Sequence, residues 1–305
     1  MNRTIGNLIA LLVIALILGG NAFVLRDMRD IRSGTSLPPA TPVSEREPTA
    51  GIVRIGVVSR FAPNITFSGY QPVLDYLNAN SPYTFELRLS TSYQDAVEKL
   101  QRREVTASFL GCWIYSHLVE AGDLVPLVAP RNAAGQSAFH AVLVTRSDTK
   151  FKGPADLAGA RIALPSADSW SGNWLQVAGL PAVGLTSTDL DSLHHFAHHQ
   201  TVVWQVLRGH FDAGVVKESV AARYLREGLR PLTMSPAIPG PPLVAYRDAP
   251  PQIIRTLTEL LLALNPDDPA DQEILATWTS EFAHGFLAVT EADYDEAFGK
   301  LEAPR

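Results

Sequence analysis

One cysteine, Cys112, stands in 305 residues, so neither an intramolecular disulfide nor a multi-cysteine metal cluster can form. Charge is also sparse. Asp, Glu, Lys and Arg make up 18% of the chain, and 25 basic side chains face 31 acidic ones, for a net charge of −6. No global basic field attracts phosphate backbones, which removes nucleic acid from the expected partners. The low charge combines with 46% hydrophobic content, a balance that excludes a disordered chain. The length suits about two domain-sized units.

What is present begins with a targeting element. After Met1-Asn2-Arg3-Thr4 the run from Leu8 to Leu18 is apolar, and Gly19-Gly20-Asn21-Ala22 supplies small residues of the kind that precede signal cleavage. Extended through Phe23-Val24-Leu25, the same run reaches the length of a membrane-spanning helix. Residues 1–25 therefore read as a cleaved export signal or as an uncleaved anchor, with 5–25 holding the protein at the inner membrane in the second case. Residues 26–50 read as a linker, because 34–50 (GTSLPPATPVSEREPTA) is rich in Pro, Ser and Thr and lacks periodicity.

From Gly51 onward, short β-branched runs alternate with helical patterns. Ile52 to Val58 reads as a buried strand, Tyr70, Val73, Leu74 and Leu77 fall at helical spacing, and Phe85, Leu87 and Leu89 alternate as a strand. The alternation predicts an α/β fold with a parallel sheet. A second cycle follows, with strands at Arg161 to Leu164, Leu193 to Phe196 and Ala213 to Val216, and helices from Gly172 and over Thr201 to Leu207. AIPGPP at 237–242 breaks the pattern, and amphipathic helices are predicted over Pro251 to Leu264 and Asp271 to Phe282. Two lobes result, 51–140 with 237–305 and 141–236, with a ligand cleft expected between them.

Four stretches carry candidate chemistry. In Phe109-Leu110-Gly111-Cys112-Trp113-Ile114-Tyr115 a strand gives way to a helix, a position that suits an oxyanion or a thiol of lowered pKa. Ser166-Ala167-Asp168-Ser169-Trp170-Ser171-Gly172 repeats that geometry with hydroxyls that can cap the helix or donate to an anion, and Trp170 adds an aromatic wall. His194-His195-Phe196-Ala197-His198-His199-Gln200 holds four of eight histidines. Zinc would need a third ligand that is not evident, so one cleft-facing histidine is expected instead. Asp212-Ala213-Gly214-Val215-Val216-Lys217-Glu218 ends a strand in charges at the same edge. An enzyme with Cys112 as nucleophile and His199 as base lacks a third orienting residue at a recognisable spacing, so neither catalysis nor a cofactor is expected.

In order, IGVVSRFAP, YQPVLDYL, FLGCWIY, GPADLAGARIALP, DSWSG, HHQTVVWQVLRGHFDAGVV and SPAIPGPPLV resemble the phosphonate, phosphate and phosphite periplasmic binding proteins of ABC transporters. The likeness runs from about Ile52 to Phe298. It implies a two-lobed type II periplasmic binding protein that closes around a small oxyanion and partners an ABC permease. It also implies a pocket containing Tyr115, Ser169, Ser171 and His199. Trp170 stands where the family commonly has Thr, Gln200 where it has Asp, and Lys217 where an acidic residue is usual, so an aminophosphonate's ammonium would be repelled.

Cys112 replaces the usual Pro after Leu-Gly. That substitution resembles the arsenite-binding branch of the family, whose members report to a membrane histidine kinase. The resemblance implies Cys112 as the ligand to arsenic(III), hydroxyl and imidazole groups on its oxygens, and a sensor kinase ectodomain as partner.

Overall fold

A computed structural model describes residues 51–58, 60–118 and 123–298. The expected leader, anchor and linker within 1–50 lie outside the described residues. Among those described, no helix is long and apolar enough to cross a membrane.

The chain opens with β1 (Ile52–Val57) and helix α1 (Pro63–Ala79), whose buried Tyr70, Val73, Leu74 and Leu77 form the apolar stripe visible in the sequence. Strand β2 (Thr84–Leu89) follows, then α2 (Tyr93–Gln101). Ser92 caps α2 by accepting the Asp95 N–H, and Lys99 pairs with Asp95 one turn on. Then come β3 (Ala107–Phe109), α3 (Cys112–Leu118), β4 (Leu124–Pro130), β5 (Ala138–Phe139) and β6 (Ala141–Arg146). The second cycle comprises β7 (Arg161–Leu164), α4 (Trp170–Trp174), β8 (Ser192–His195), α5 (His199–Leu207), β9 (Ala213–Lys217), α6 (Glu218–Arg223) and β10 (Leu229–Met234). The chain then returns through β11 (Ile238–Pro239), β12 (Leu243–Tyr246), α7 (Pro251–Ala263), α8 (Pro269–Leu275), β13 (Phe286–Ala288) and α9 (Glu291–Phe298).

These strands build two sheets. The six-stranded one has the order β13-β4-β12-β3-β1-β2, and the five-stranded one β10-β6-β9-β7-β8. Neither is purely parallel, which corrects the sequence expectation. β1 runs parallel to β2 and β3, whereas β12 and β13 return antiparallel. In the other sheet β7 is parallel to β8 and β9, and β6 is antiparallel to β9 and β10. The alternating strand-helix pattern sees only the crossover strands; the antiparallel partners lie far apart in sequence, with helices between them, and pair only when the chain returns to the sheet.

Asp271 to Phe282 is not one helix. It stops at Leu275, and the Thr279 carbonyl accepts the N–H of both Phe282 and Ala283 in a tight turn. The turn swings Phe282 inward against Tyr70 and Phe286.

Each sheet packs its own apolar core, and a third cluster joins them through Cys112, Trp113, Trp170, Trp174, Tyr294 and Phe298. The chain passes between the sheets at β5 and β11, which pair with each other antiparallel.

Candidate functional site

The strand ends explain where the chemistry gathers. Arg60 follows β1, Cys112 follows β3, Ser169 and Ser171 follow β7, His199 follows β8, and Lys217 is the last residue of β9. Carboxyl ends of strands are where α/β sheets leave a crevice. There the two sheets enclose a cavity of about 30 Å³, lined by Arg60, Tyr93, Cys112, Phe139, Trp170 and Lys217, together with Ser169, Ser171 and His199. A water needs about 10–15 Å³ of such space, so the scale is that of a compact oxyacid and not of an extended ligand.

Gly111 precedes Cys112 at the turn into α3. A side chain there would place its Cβ 3.0 Å from the Tyr93 ring, so that ring would have to shift to admit it. Cys112 itself is 2% exposed. Burial pushes its thiol up to about 12, with Lys217 opposing that rise. The lowered pKa expected from the start of α3 is therefore corrected: desolvation outweighs the favourable field of a seven-residue helix, and the sulfur is a neutral thiol at pH 7.

Ser169 caps α4. Its hydroxyl donates to the Ser166 carbonyl at 2.8 Å and accepts the Gly172 N–H at 3.1 Å, leaving it acceptor capacity toward a ligand and no proton. Ser171 lies one residue inside the same turn, 2% exposed. Trp170 donates from Nε1 to Ser235 Oγ at 3.4 Å and packs on Trp113 with centroids 5.5 Å apart. His199 opens α5, and its Nδ1 accepts the Lys217 backbone N–H at 3.2 Å. That contact assigns the ring proton to Nε2. Burial, then the nearby Arg60 and Lys217 charges, hold the imidazole down at about 3, so it is neutral.

Sequence reasoning found Lys217 but missed Arg60 and Glu281. Arg60 Nη1 donates to Glu281 Oε1 at 2.7 Å, and Lys217 Nζ donates to the same oxygen at 3.0 Å. Arg60 Nη2 also donates to Tyr70 at 2.6 Å. Burial opposes the Glu281 charge, yet the two cations hold its carboxyl down to about 2. A strand-end position would have pointed to Arg60; nothing local marks Glu281.

Tyr115, expected in the pocket, lies apart from this cavity lining. It is fully buried, packs edge-on against Tyr294 with centroids 4.8 Å apart, and is not part of the cavity wall. No group of three or more His, Cys, Asp or Glu suited to a metal ion occurs among the described residues. His195 turns away from His199: its Nδ1 pairs with the Pro165 carbonyl at 2.7 Å.

A family profile described as ABC transporter, phosphonate, periplasmic substrate-binding protein matches residues 55–294. The chain belongs to this family. Its members are periplasmic solute-binding proteins, and the two-lobed type II fold above is theirs. Similar solved structures include a binding protein component of an ABC phosphonate transporter from Pseudomonas aeruginosa, 15% identical, covering 80% of this chain and 83% of that one at a TM-score of 0.69. PhnD1 from Prochlorococcus marinus in complex with methylphosphonate is 16% identical, with coverage of 80% and 95% and a TM-score of 0.70. A Xanthomonas citri protein bound to ATP is 17% identical, with coverage of 82% and 99% and a TM-score of 0.61. At these identities the likeness carries the fold of this phosphonate-family protein and not its ligand.

Proposed function

We propose that the interlobe cavity captures a small oxyacid, and that the ligand is arsenite held at Cys112. One observation carries this reading: the chain's single thiol lines the same enclosed cavity as Ser169, Ser171 and His199. Arsenous acid is neutral near pH 7 and thiophilic. Its condensation with a neutral thiol forms one S–As bond, breaks one As–O bond, and releases the thiol proton with the departing hydroxide as water. Ser171 and His199 Nε2 then donate to the remaining oxygens, Ser169 accepts from one of them, and Trp170 shields the site. Ligand-stabilised closure is a population shift that a sensor histidine kinase ectodomain can read. In that arrangement an uncleaved 5–25 segment would keep the protein at the inner membrane beside its kinase.

A second reading is favoured by the cations Arg60 and Lys217 in the cavity wall: a phosphate-, phosphite- or phosphonate-binding component delivering to an ABC permease. Calorimetry of the full chain against arsenite, phosphate, phosphite and methylphosphonate separates the two. Arsenite binding that Cys112→Ser abolishes supports the sensor reading. Arsenite binding unchanged in that variant, or absent from the wild type, overturns it.

A further inference from the structure

We infer that Glu281 sets the charge of ligand this cavity accepts, by cancelling one of the two cations that line it and so disfavouring dianions. The inference rests on the cavity being the ligand site. Among the described residues lining the cavity, Arg60 and Lys217 are the charged side chains, and no carboxylate is among them. Glu281 stands behind both, its Oε1 accepting from Arg60 and from Lys217. Arg60 and Glu281 belong to the part of the chain that builds the six-stranded sheet, and Lys217 ends a strand of the other sheet, so the carboxylate is a positioning residue across the lobes.

All three side chains are nearly buried, at 9%, 15% and 13% exposure for Arg60, Glu281 and Lys217. Their charges are therefore weakly screened. The other polar groups facing this network are Tyr70, Tyr93, Cys112 and His199. Burial raises the two phenols and the thiol, and lowers the imidazole, so all four are uncharged at neutral pH. Two cations against one carboxylate leave a single positive charge. A neutral or singly charged oxyacid fits that balance, whereas a dianion would bring a buried negative charge without a partner.

The probes are sulfate and methanesulfonate, tetrahedral sulfur oxyanions of fixed charge −2 and −1 near pH 7, titrated calorimetrically into the full chain. Glu281→Gln keeps an oxygen for both donors and removes the charge; the ratio of sulfate to methanesulfonate affinity should rise at least tenfold. Adding Lys217→Gln restores a single positive charge, and the double variant should return to the wild-type ratio, a rescue that a purely structural role would not produce. A ratio unchanged in E281Q, or not reversed in the double variant, overturns the inference. Failure of either probe to bind any of these proteins overturns it as well.

Should E281Q fail to fold by circular dichroism, Lys217→Gln alone decides: methanesulfonate affinity should fall at least tenfold, and an unchanged value overturns the inference. An arsenite titration of the wild type runs beside these. Loss of arsenite binding with the expected change in the sulfur-oxyanion ratio removes the metalloid reading and leaves the role of Glu281 standing.

Discussion

The imidazole of His199 and the backbone of Lys217 are locked together: Nδ1 accepts the N–H at 3.2 Å where β9 meets the start of α5. The ring is buried and neutral, held at about 3 against an ordinary value of 6.5. The folded protein thus refuses a proton that the unfolded chain binds below pH 6.5. The stability this group contributes is complete above pH 6.5 and is lost as pH falls toward 3. Melting temperature should therefore drop steadily from pH 7 to pH 4. His199→Gln, whose amide oxygen can accept the same N–H, should flatten that slope; an equally steep slope would sink the assignment. Glu281 adds loss in the same direction below the ordinary carboxylate value of 4.5, as pH falls toward about 2.

The Cys112 thiol should behave as a poor nucleophile. With its pKa pushed up from 9.0 to about 12, alkylation by iodoacetamide at pH 8 should run at least about a hundredfold slower in the native protein than in guanidinium. The raised value also means that stability is fully present below pH 9 and declines as pH rises toward 12. Melting curves from pH 8 to 10.5 should show the decline in the wild type and a shallower one in Cys112→Ser.

Ser169 and Ser171 should separate by function. Ser169→Ala removes a helix cap and should cost about 1 kcal/mol in urea unfolding. Ser171→Ala, which removes no helix cap, should cost less than Ser169→Ala in urea unfolding while weakening oxyacid binding at least tenfold in calorimetry. Equal effects of both variants on binding and on stability would contradict the division.

Gly172 should tolerate no side chain. An added Cβ would lie 2.1 Å from the Ser166 carbonyl oxygen, a backbone atom held by the Ser169 cap. Gly172→Ala should cost about 3 kcal/mol or more in urea unfolding, and a loss under about 1 kcal/mol would show that the turn relaxes.

Much of this site is legible in the sequence because it sits at strand ends. The turns holding Cys112 and Ser169 combine a β run, a small or hydroxyl residue and a helical pattern, all local signals. Lys217 is visible as a cation where the resembling family has an acid, although its partner is not. Glu281 lies 221 positions from Arg60 and 64 from Lys217, in a turn that looks like the continuation of an amphipathic helix, and an isolated carboxylate has no spacing to betray it. Tyr115 misleads for the opposite reason. It shares a short helix with Cys112, but its ring packs against Tyr294 and does not line the cavity. The antiparallel strands β10, β12 and β13 escape because their pairing depends on tertiary return of the chain, which periodicity does not encode.

The two passages of the chain between the sheets are stitched to each other, Ile238 opposite Phe139 and Pro239 opposite Ala138. Phe139 and Pro241, on and just beyond that ribbon, also line the cavity. On the proposed reading, the axle on which one half would swing against the other is thus part of the surface that meets the cargo. A guest only a few atoms wide would then bear on the pivot itself, where a small displacement would be geared into a large one at the outer rim.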